Sequence, residues 1–294
     1  MKVTLGMMLL AGLAPALLLA GCSGDDNIHG FVSFATVVKP GTTQLPTITT
    51  EASHSSAAPA QHANTLSPTS DGSGTVTLTV DAAGSVTGLT INGTQSSVSF
   101  SNTNGDLLTS NAGVSRAKSA DGKNIAIGAD YNTLGFNYQT FGAWMTGVGT
   151  GSGNAGAFSA GAVTPVSSMP TTGTATYNGT AGGIYVDSSG TTFVAAGSSA
   201  LTANFANRSV AYSTSGTTAV DTTGAALANP SVLNMQGTLS LATGSNAFSG
   251  AVLTGTLNGT ARGQFYGPTA NEAGGTFALT GSGASSYLGA FGAK

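Results

Sequence analysis

Two histidines separated by eight residues are the side chains of this sequence best suited to cofactor chemistry. His54 and His62 lie in a stretch of Thr, Ser, Ala and Pro, residues 41–74, which we expect to form a long mobile loop. Neutral imidazole is the usual axial ligand of haem iron. One hypothesis is therefore a loop that binds haem through His54 and His62, and the alternative is two solvated histidines. With three histidines in all, we expect no metal cluster.

Signatures of catalysis do not occur in the chain. It contains no Gly-x-Ser-x-Gly, no His-Glu-x-x-His and no phosphate-binding Gly-Lys-Ser/Thr. Residues 151–156 match G-x-G-x-x-G, but Pro165 follows soon after and no acidic residue stands at the spacing of a dinucleotide site. We therefore expect a protein that is not an enzyme.

The only cysteine, Cys22, ends an apolar N-terminal segment. Lys2 precedes an apolar run, so residues 1–21 are typical of a secretory signal peptide. Residues 19–22 (LAGC) are similar to a bacterial lipobox, in which the cysteine becomes the acylated N-terminus. This resemblance implies lipidation at Cys22, followed by a short tether over residues 22–27, and attachment to a membrane. The alternative is an ordinary signal peptide followed by a free thiol.

The amino-acid composition limits the remaining classes of protein. Lys and Arg number 8 and Asp and Glu 11, while Gly numbers 44. So few cations cannot line a nucleic-acid groove, and we expect no nucleic-acid partner. The abundance of Gly, Thr, Ser, Ala and Val favours short strands and tight turns over helical bundles. The sequence thus predicts an all-β protein.

Strand patterns divide the mature chain into two β-rich parts. Strict alternation over residues 75–80 and an aromatic run over residues 134–144 predict a first domain at residues 28–146, with residues 31–38 as its first strand. A Gly-, Ser- and Thr-rich stretch with two prolines, residues 147–172, predicts a junction.

Period-two alternation then repeats through residues 173–294. The apolar positions share one predicted face and their Thr, Ser and Asn neighbours share the other. They include Ala175, Tyr177, Leu201, Ala203, Phe205, Met235, Leu239, Leu241, Leu253, Leu257, Phe277 and Leu279. Roughly eight such strands suit a small closed antiparallel barrel. Because the aromatic residues stand in mid-strand and not in girdles at the strand ends, we expect a soluble barrel with a packed interior.

A family resemblance enters at residues 263–277 (GQFYGPTANEAGGTF). This segment resembles the signature of the transferrin-binding protein B barrel domain of Gram-negative surface lipoproteins. Residues 173–179 and 288–294 are similar to that family's first and last strands, and residues 141–144 to the end of its handle region. The resemblance implies a single lobe, with a β-rich handle followed by an eight-stranded barrel.

The signature residues suggest structural roles. The glycines Gly263, Gly267, Gly274 and Gly275 allow bends or close packing, Pro268 fixes a turn, and Phe265, Tyr266 and Phe277 supply buried area. Glu272 is one of only two glutamates and could accept backbone N–H bonds or pair with Arg262; a ligand contact is the alternative.

The resemblance implies a binding protein, since members of that family bind transferrin, lactoferrin, haemoglobin, haem or a complement regulator. We expect an outer-membrane lipoprotein, lipid-anchored at the cell surface, that captures a host or environmental protein or iron carrier. A surface-lipoprotein translocator is an implied partner. Candidate recognition loops are residues 41–74, 181–190 and 216–234, with Tyr185, Phe193 and Tyr212 as candidate aromatic anchors unless they are core residues. Haem binding in iron acquisition, and a structural or immune-evasion role, are the alternatives.

Overall fold

A computed structural model describes residues 33–34, 39–55, 65–67, 69–221 and 223–294. These residues fold into two β-sheets that pack against each other. The first sheet, here called the handle, contains β1 (Gly41–Ser55), β2 (Thr65–Leu66), β3 (Ser70–Val80), β4 (Val86–Asn92), β5 (Ser97–Ser101), β6 (Leu107–Asn111), β7 (Val114–Lys118), β8 (Ile125–Ala129), the short helix α1 (Tyr131–Leu134), β9 (Gln139–Met145) and β10 (Ser152–Gly161). The second closes into a barrel.

The barrel is built from β11 (Thr174–Val186), β12 (Thr192–Asn204), β13 (Ser209–Asp221), β14 (Gln236–Leu241), β15 (Ala247–Leu253), β16 (Asn258–Tyr266), β17 (Glu272–Thr280) and β18 (Ser286–Ala293). Each strand pairs antiparallel with the next, and β18 pairs back onto β11, so that the eight strands close. This confirms the predicted all-β fold. The 3-10 turns are Asn102–Asn104, Val166–Ser168 and Pro230–Leu233.

The barrel interior is filled by the predicted apolar face. Leu201, Leu239, Phe265 and Phe291 are all fully buried within one continuous core. One inward position was wrong: Leu253 is 49% exposed, because its neighbour Val252 points into the barrel at the end of β15. Thr276 is buried although its side chain points outward, since the handle covers that part of the wall.

The handle follows the strand order β5-β4-β3-β1-β10-β9-β8-β7-β6, with β2 paired to β1. Its own core collects Leu45, Val76, Ile91, Phe100 and Trp144. The same cluster continues into barrel side chains on β11, β17 and β18, namely Ile184, Val186, Ala278, Leu288 and Ala290. The two sheets therefore share a packed seam.

Two predictions about the handle were wrong. Residues 41–55 and 70–74 are strand and not mobile loop, because β1 lies between β3 and β10 and pairs with both. Residues 152–161 form β10 in the stretch predicted as a junction. The predicted first strand at 31–38 lies mostly outside the described residues. Among the described helices, none has the length and apolar character of a membrane span.

Candidate functional site

The signature segment forms a tight hairpin at the end of β16 and β17, where close packing requires glycine. A Cβ at Gly263 would lie 2.5 Å from the Phe248 ring, and one at Gly275 would lie 2.6 Å from the Phe291 ring. Gly267 has a φ of +86°, a left-handed value that favours glycine. The glycines thus let large rings fill the barrel interior.

Glu272 joins the barrel to the handle. Its carboxylate is 2% exposed and accepts backbone N–H bonds from Asn137 at 2.6 Å and from Tyr138 at 3.2 Å, just before β9. Burial raises the pKa of Glu272, and the backbone donors together with Lys294 lower it only in part. Of the two predicted alternatives, backbone N–H bonds are formed, while Arg262 pairs with Asp71 and not with Glu272.

Arg262 reaches across the same seam from β16. Its guanidinium lies 3.3 Å from Asp71 Oδ1 and donates to the backbone carbonyls of Thr49 and Gly72 on the handle. Burial lowers its pKa, while the Asp71 carboxylate raises it. This arginine is therefore engaged by the handle.

A third contact between the sheets comes from Gln139, which no sequence motif indicates. Its amide Nε2 donates to the carbonyls of Ala273 and Ala293, each at 3.0 Å. A Cβ at Gly274 would lie 2.0 Å from the Gln139 Oε1 atom, so the signature glycine leaves room for this side chain. Ser159 and the Tyr266 hydroxyl are hydrogen bonded 2.7 Å apart beside it. The signature motif is thus largely a docking surface for the handle.

Of the two candidate haem ligands, His54 lies in the described part of the chain, and it is not on a loop. His54 lies on β1, is 5% exposed, and its Nε2 is 2.7 Å from the carbonyl oxygen of Thr146. Placing His54 on an exposed loop was wrong, because strand pairing on both sides of β1 buries it. His62 and Cys22 lie outside the described residues.

The three candidate anchor aromatics lie inside the barrel. Tyr185 and Phe193 are 7% exposed and Tyr212 is 2% exposed. Their rings pack against other aromatic rings, for example Tyr212 against Phe291 with centroids 4.5 Å apart. The role as exposed anchors was wrong, because all three stand at inward positions of β11, β12 and β13.

Residues 162–173 join the handle to one end of the barrel. The opposite end, here called the free end, is formed by residues 187–191, 221, 223–235, 254–257 and 281–285. Leu233 and Met235 are buried there and close the interior from this side. Val220 and Leu253 stand beside these turns and remain 45% and 49% exposed. The predicted loops at 181–190 and 216–234 are shorter than expected, since β11 continues to Val186 and β13 to Asp221.

Charge is sparse at the free end. Asp187 and Asp221 are the ionisable side chains among its described residues, and each accepts hydrogen bonds from its own turn. No cluster of three or more His, Cys, Asp or Glu side chains occurs in the described part of the chain. The free end therefore offers small polar groups and two aliphatic side chains.

Sequence comparison finds one family. Residues 169–294 match the family described as C-lobe and N-lobe beta barrels of Tf-binding protein B. A search of curated protein sequences found no match to the chain.

Structural comparison finds solved structures that are similar at low sequence identity. Transferrin-binding protein B from Haemophilus parasuis (a double mutant) is 18% identical, with a TM-score of 0.49 over 84% of this chain and 44% of that one. The isotype 1 protein from Neisseria meningitidis is 18% identical, with a TM-score of 0.46 over 84% of this chain and 43% of that one. The N-lobe of lactoferrin-binding protein B from Moraxella bovis is 12% identical, with a TM-score of 0.36 over 57% and 79%. The chain therefore spans less than half the length of the first two proteins.

The family match coincides with the closed barrel and contains the whole signature hairpin. The C-terminal barrel of this chain, residues 169–294, belongs to the transferrin-binding protein B barrel-domain family.

Proposed function

We propose that this chain is a non-enzymatic surface lipoprotein whose single lobe captures a host or environmental protein, with an iron carrier of the transferrin type as the first candidate. The observation that carries the proposal is the match of residues 169–294 to the barrel family of Tf-binding protein B. Solved structures similar to this chain include transferrin-binding protein B of Neisseria meningitidis and the N-lobe of lactoferrin-binding protein B of Moraxella bovis. Fold alone does not name a ligand, so the partner must be tested.

Lipidation at Cys22 would tether the lobe to the outer membrane. The support is the LAGC sequence at residues 19–22 after an apolar segment. A dedicated translocator of surface lipoproteins is the implied export partner. The polar residues 23–27 would then separate the lipid from the folded domains.

The free end of the barrel is our proposed contact surface. The other barrel end and one side of its wall are occupied by the handle through Glu272, Arg262 and Gln139. At the free end, Val220 and Leu253 present exposed apolar area next to turns rich in Ser, Thr and Gly. Exposed aliphatic groups with a polar rim are the composition expected of a protein contact.

The test is binding of the full chain, purified in mild detergent, to immobilised iron-loaded transferrin, lactoferrin and haemoglobin. A variant carrying Val220→Asp and Leu253→Asp places two charges in the proposed contact. We expect it to weaken binding by about tenfold or more, because a desolvated unpaired charge is unfavourable. Leu107→Asp is the matched control, since Leu107 is 60% exposed but lies on the handle.

Saturable binding to one carrier, weakened by the barrel variant and unchanged by Leu107→Asp, would support both the function and the surface. Binding weakened only by Leu107→Asp would move the contact to the handle. Absence of binding to all three carriers would overturn the iron-carrier proposal.

A further inference from the structure

A cavity of about 350 Å³ lies inside the handle, on the face that points away from the barrel. Its floor is buried and its mouth is exposed. Leu78, Ala117, Ala126 and Phe158 belong to the floor, and Ala83, Ser85, Ser110 and Asn132 to the mouth. This volume lies within the range of small-molecule pockets, roughly 300–1,000 Å³.

The space arises from small side chains at inward positions of one wall. The small residues are Ala117 on β7 and Ala126 on β8, which stand directly opposite each other. Leu108 on β6 is the larger neighbour of Ala117. The facing wall carries the larger pair Leu78 and Leu89, which are partners on β3 and β4. No strand pairing joins β5 to β6 among the described residues, so the sheet leaves an opening at this side.

The carboxylate that lines the mouth is Asp130, while the Lys39 ammonium lies beside Gly84 without lining the cavity. Asp130 caps α1, accepting from the backbone N–H groups of Asn132 and Thr133 and from the Ser110 hydroxyl. Burial raises the pKa of Asp130, but these hydrogen bonds outweigh it and leave the pKa below its ordinary value. Arg116 also borders the cavity, but strand alternation points its side chain away from the inward-facing Ala117.

We propose that the handle cavity binds a small apolar molecule that carries a hydroxyl group and no negative charge, such as a medium-chain alcohol. At roughly 30 Å³ per atom-sized group, the cavity holds about ten to twelve non-hydrogen atoms, which is the size of decan-1-ol. Burial of the alkyl chain supplies the free energy of binding. The hydroxyl can donate to the polar mouth, whereas a carboxylate there would be repelled by Asp130. This site is independent of partner capture at the barrel.

Titration of the full chain with decan-1-ol and, separately, with decanoate tests the proposal. The only tryptophan, Trp144, reports binding because its ring lies 6.3 Å from that of Phe158 in the cavity floor. We expect saturable binding of decan-1-ol, with decanoate weaker by about tenfold or more. Absence of saturable binding, or decanoate binding as tightly as the alcohol, would overturn the proposal.

Two variants separate the cavity from nonspecific adsorption. Ala117→Leu fills the cavity and should weaken decan-1-ol binding by about tenfold or more, while the matched control Ala251→Leu, exposed on the barrel, should not. Asp130→Asn keeps a helix-capping side chain and should reduce the discrimination against decanoate. Circular dichroism of each variant checks folding. Equal alcohol binding by Ala117→Leu and Ala251→Leu would refute the assignment even if every variant folds.

Discussion

The most informative perturbation of the seam is Glu272→Ala. It removes the acceptor of two backbone N–H groups, those of Asn137 at 2.6 Å and Tyr138 at 3.2 Å. A buried donor left without an acceptor costs about 1–3 kcal/mol. Because Asn137 is exposed and Tyr138 only half-buried, water can reach both groups. We therefore expect each group to cost about 1–1.5 kcal/mol, which is about 2–3 kcal/mol for the two together. Glu272→Gln keeps one carbonyl acceptor and should cost about half as much.

Urea unfolding followed by two probes measures this effect. Trp144 is the only tryptophan and is buried in the handle core, so its fluorescence follows the handle, whereas far-ultraviolet circular dichroism follows both sheets. In the wild-type chain the two transitions should coincide. In Glu272→Ala the fluorescence transition should move to lower urea and separate from the dichroism transition.

The control for this series is Asp121→Asn, an exposed carboxylate bound only within its own turn. Its unfolding free energy should stay within about 0.5 kcal/mol of the wild type. An unfolding midpoint of Glu272→Ala equal to that of the control would refute the account of the seam.

The Glu272 carboxyl also predicts a pH dependence. Burial raises its folded-state pKa above the ordinary value of 4.5. The folded state therefore binds the proton more tightly than the unfolded state, and this contribution to stability is lost as the pH rises through the folded pKa. The difference in unfolding free energy between wild type and Glu272→Gln should shrink as the pH rises from the ordinary pKa towards neutrality. A difference in unfolding free energy that widens as the pH rises would contradict the raised pKa of Glu272.

Four further predictions concern individual side chains and the charge of the free end. Gly274→Ala should destabilise the chain by about 1–3 kcal/mol through a clash in the seam, while Gly255→Ala, whose Cβ meets nothing within 4 Å, should stay within about 1 kcal/mol. Tyr212→Phe removes a buried hydroxyl that has no partner among the described residues, so this variant should be as stable as the wild type or more stable. Tyr177→Phe loses a 2.7 Å hydrogen bond to a carbonyl, and its free energy of unfolding should fall by about 1–2 kcal/mol. Thermal or urea unfolding measures both variants. Labelled palmitate should enter the wild-type chain in growing cells and be absent from Cys22→Ser; equal labelling would exclude acylation at that residue. Association with a protein partner should change little with salt, because the free end carries few charges; a steep decrease in the association rate with salt would contradict a neutral contact.

The barrel could be predicted because each strand contributes a local signal. Leu201, Phe205, Leu239 and Phe277 alternate with polar residues, and the alternation alone identifies the inward face. Leu253 was placed on the wrong face because it stands at the end of β15, where the alternation passes into the turn.

Strand β1 of the handle gave no such signal, whereas residues 75–80 of β3 did. On β1, Thr47, Thr49 and Thr50 are buried, and Thr50 is hydrogen bonded to Thr276 on the barrel at 2.7 Å. A polar strand becomes part of a core only when distant partners satisfy its hydroxyls, which a local pattern cannot reveal. Pro46 is tolerated in β1 because the pairing with β10 begins one residue later, at Thr47.

The candidate site was predicted only in part for the same reason. Glycines and rings of the signature hairpin could be identified as structural, and Glu272 as an acceptor of backbone N–H groups. The donors to Glu272 lie more than 130 residues away in the chain. Gln139 can bridge the two sheets because Gly274 on β17 and Gly292 on β18 leave room for its side chain. Seam contacts of this kind exist only in the assembled fold.

The most direct test of partner capture is hydrogen exchange of the full chain, measured with and without iron-loaded transferrin at saturating concentration. Our account predicts that the carrier slows exchange at residues 187–191, 223–235, 254–257 and 281–285, while the handle and the seam at Glu272 stay unchanged. Protection confined to the handle, or the same exchange with and without the carrier, would contradict it.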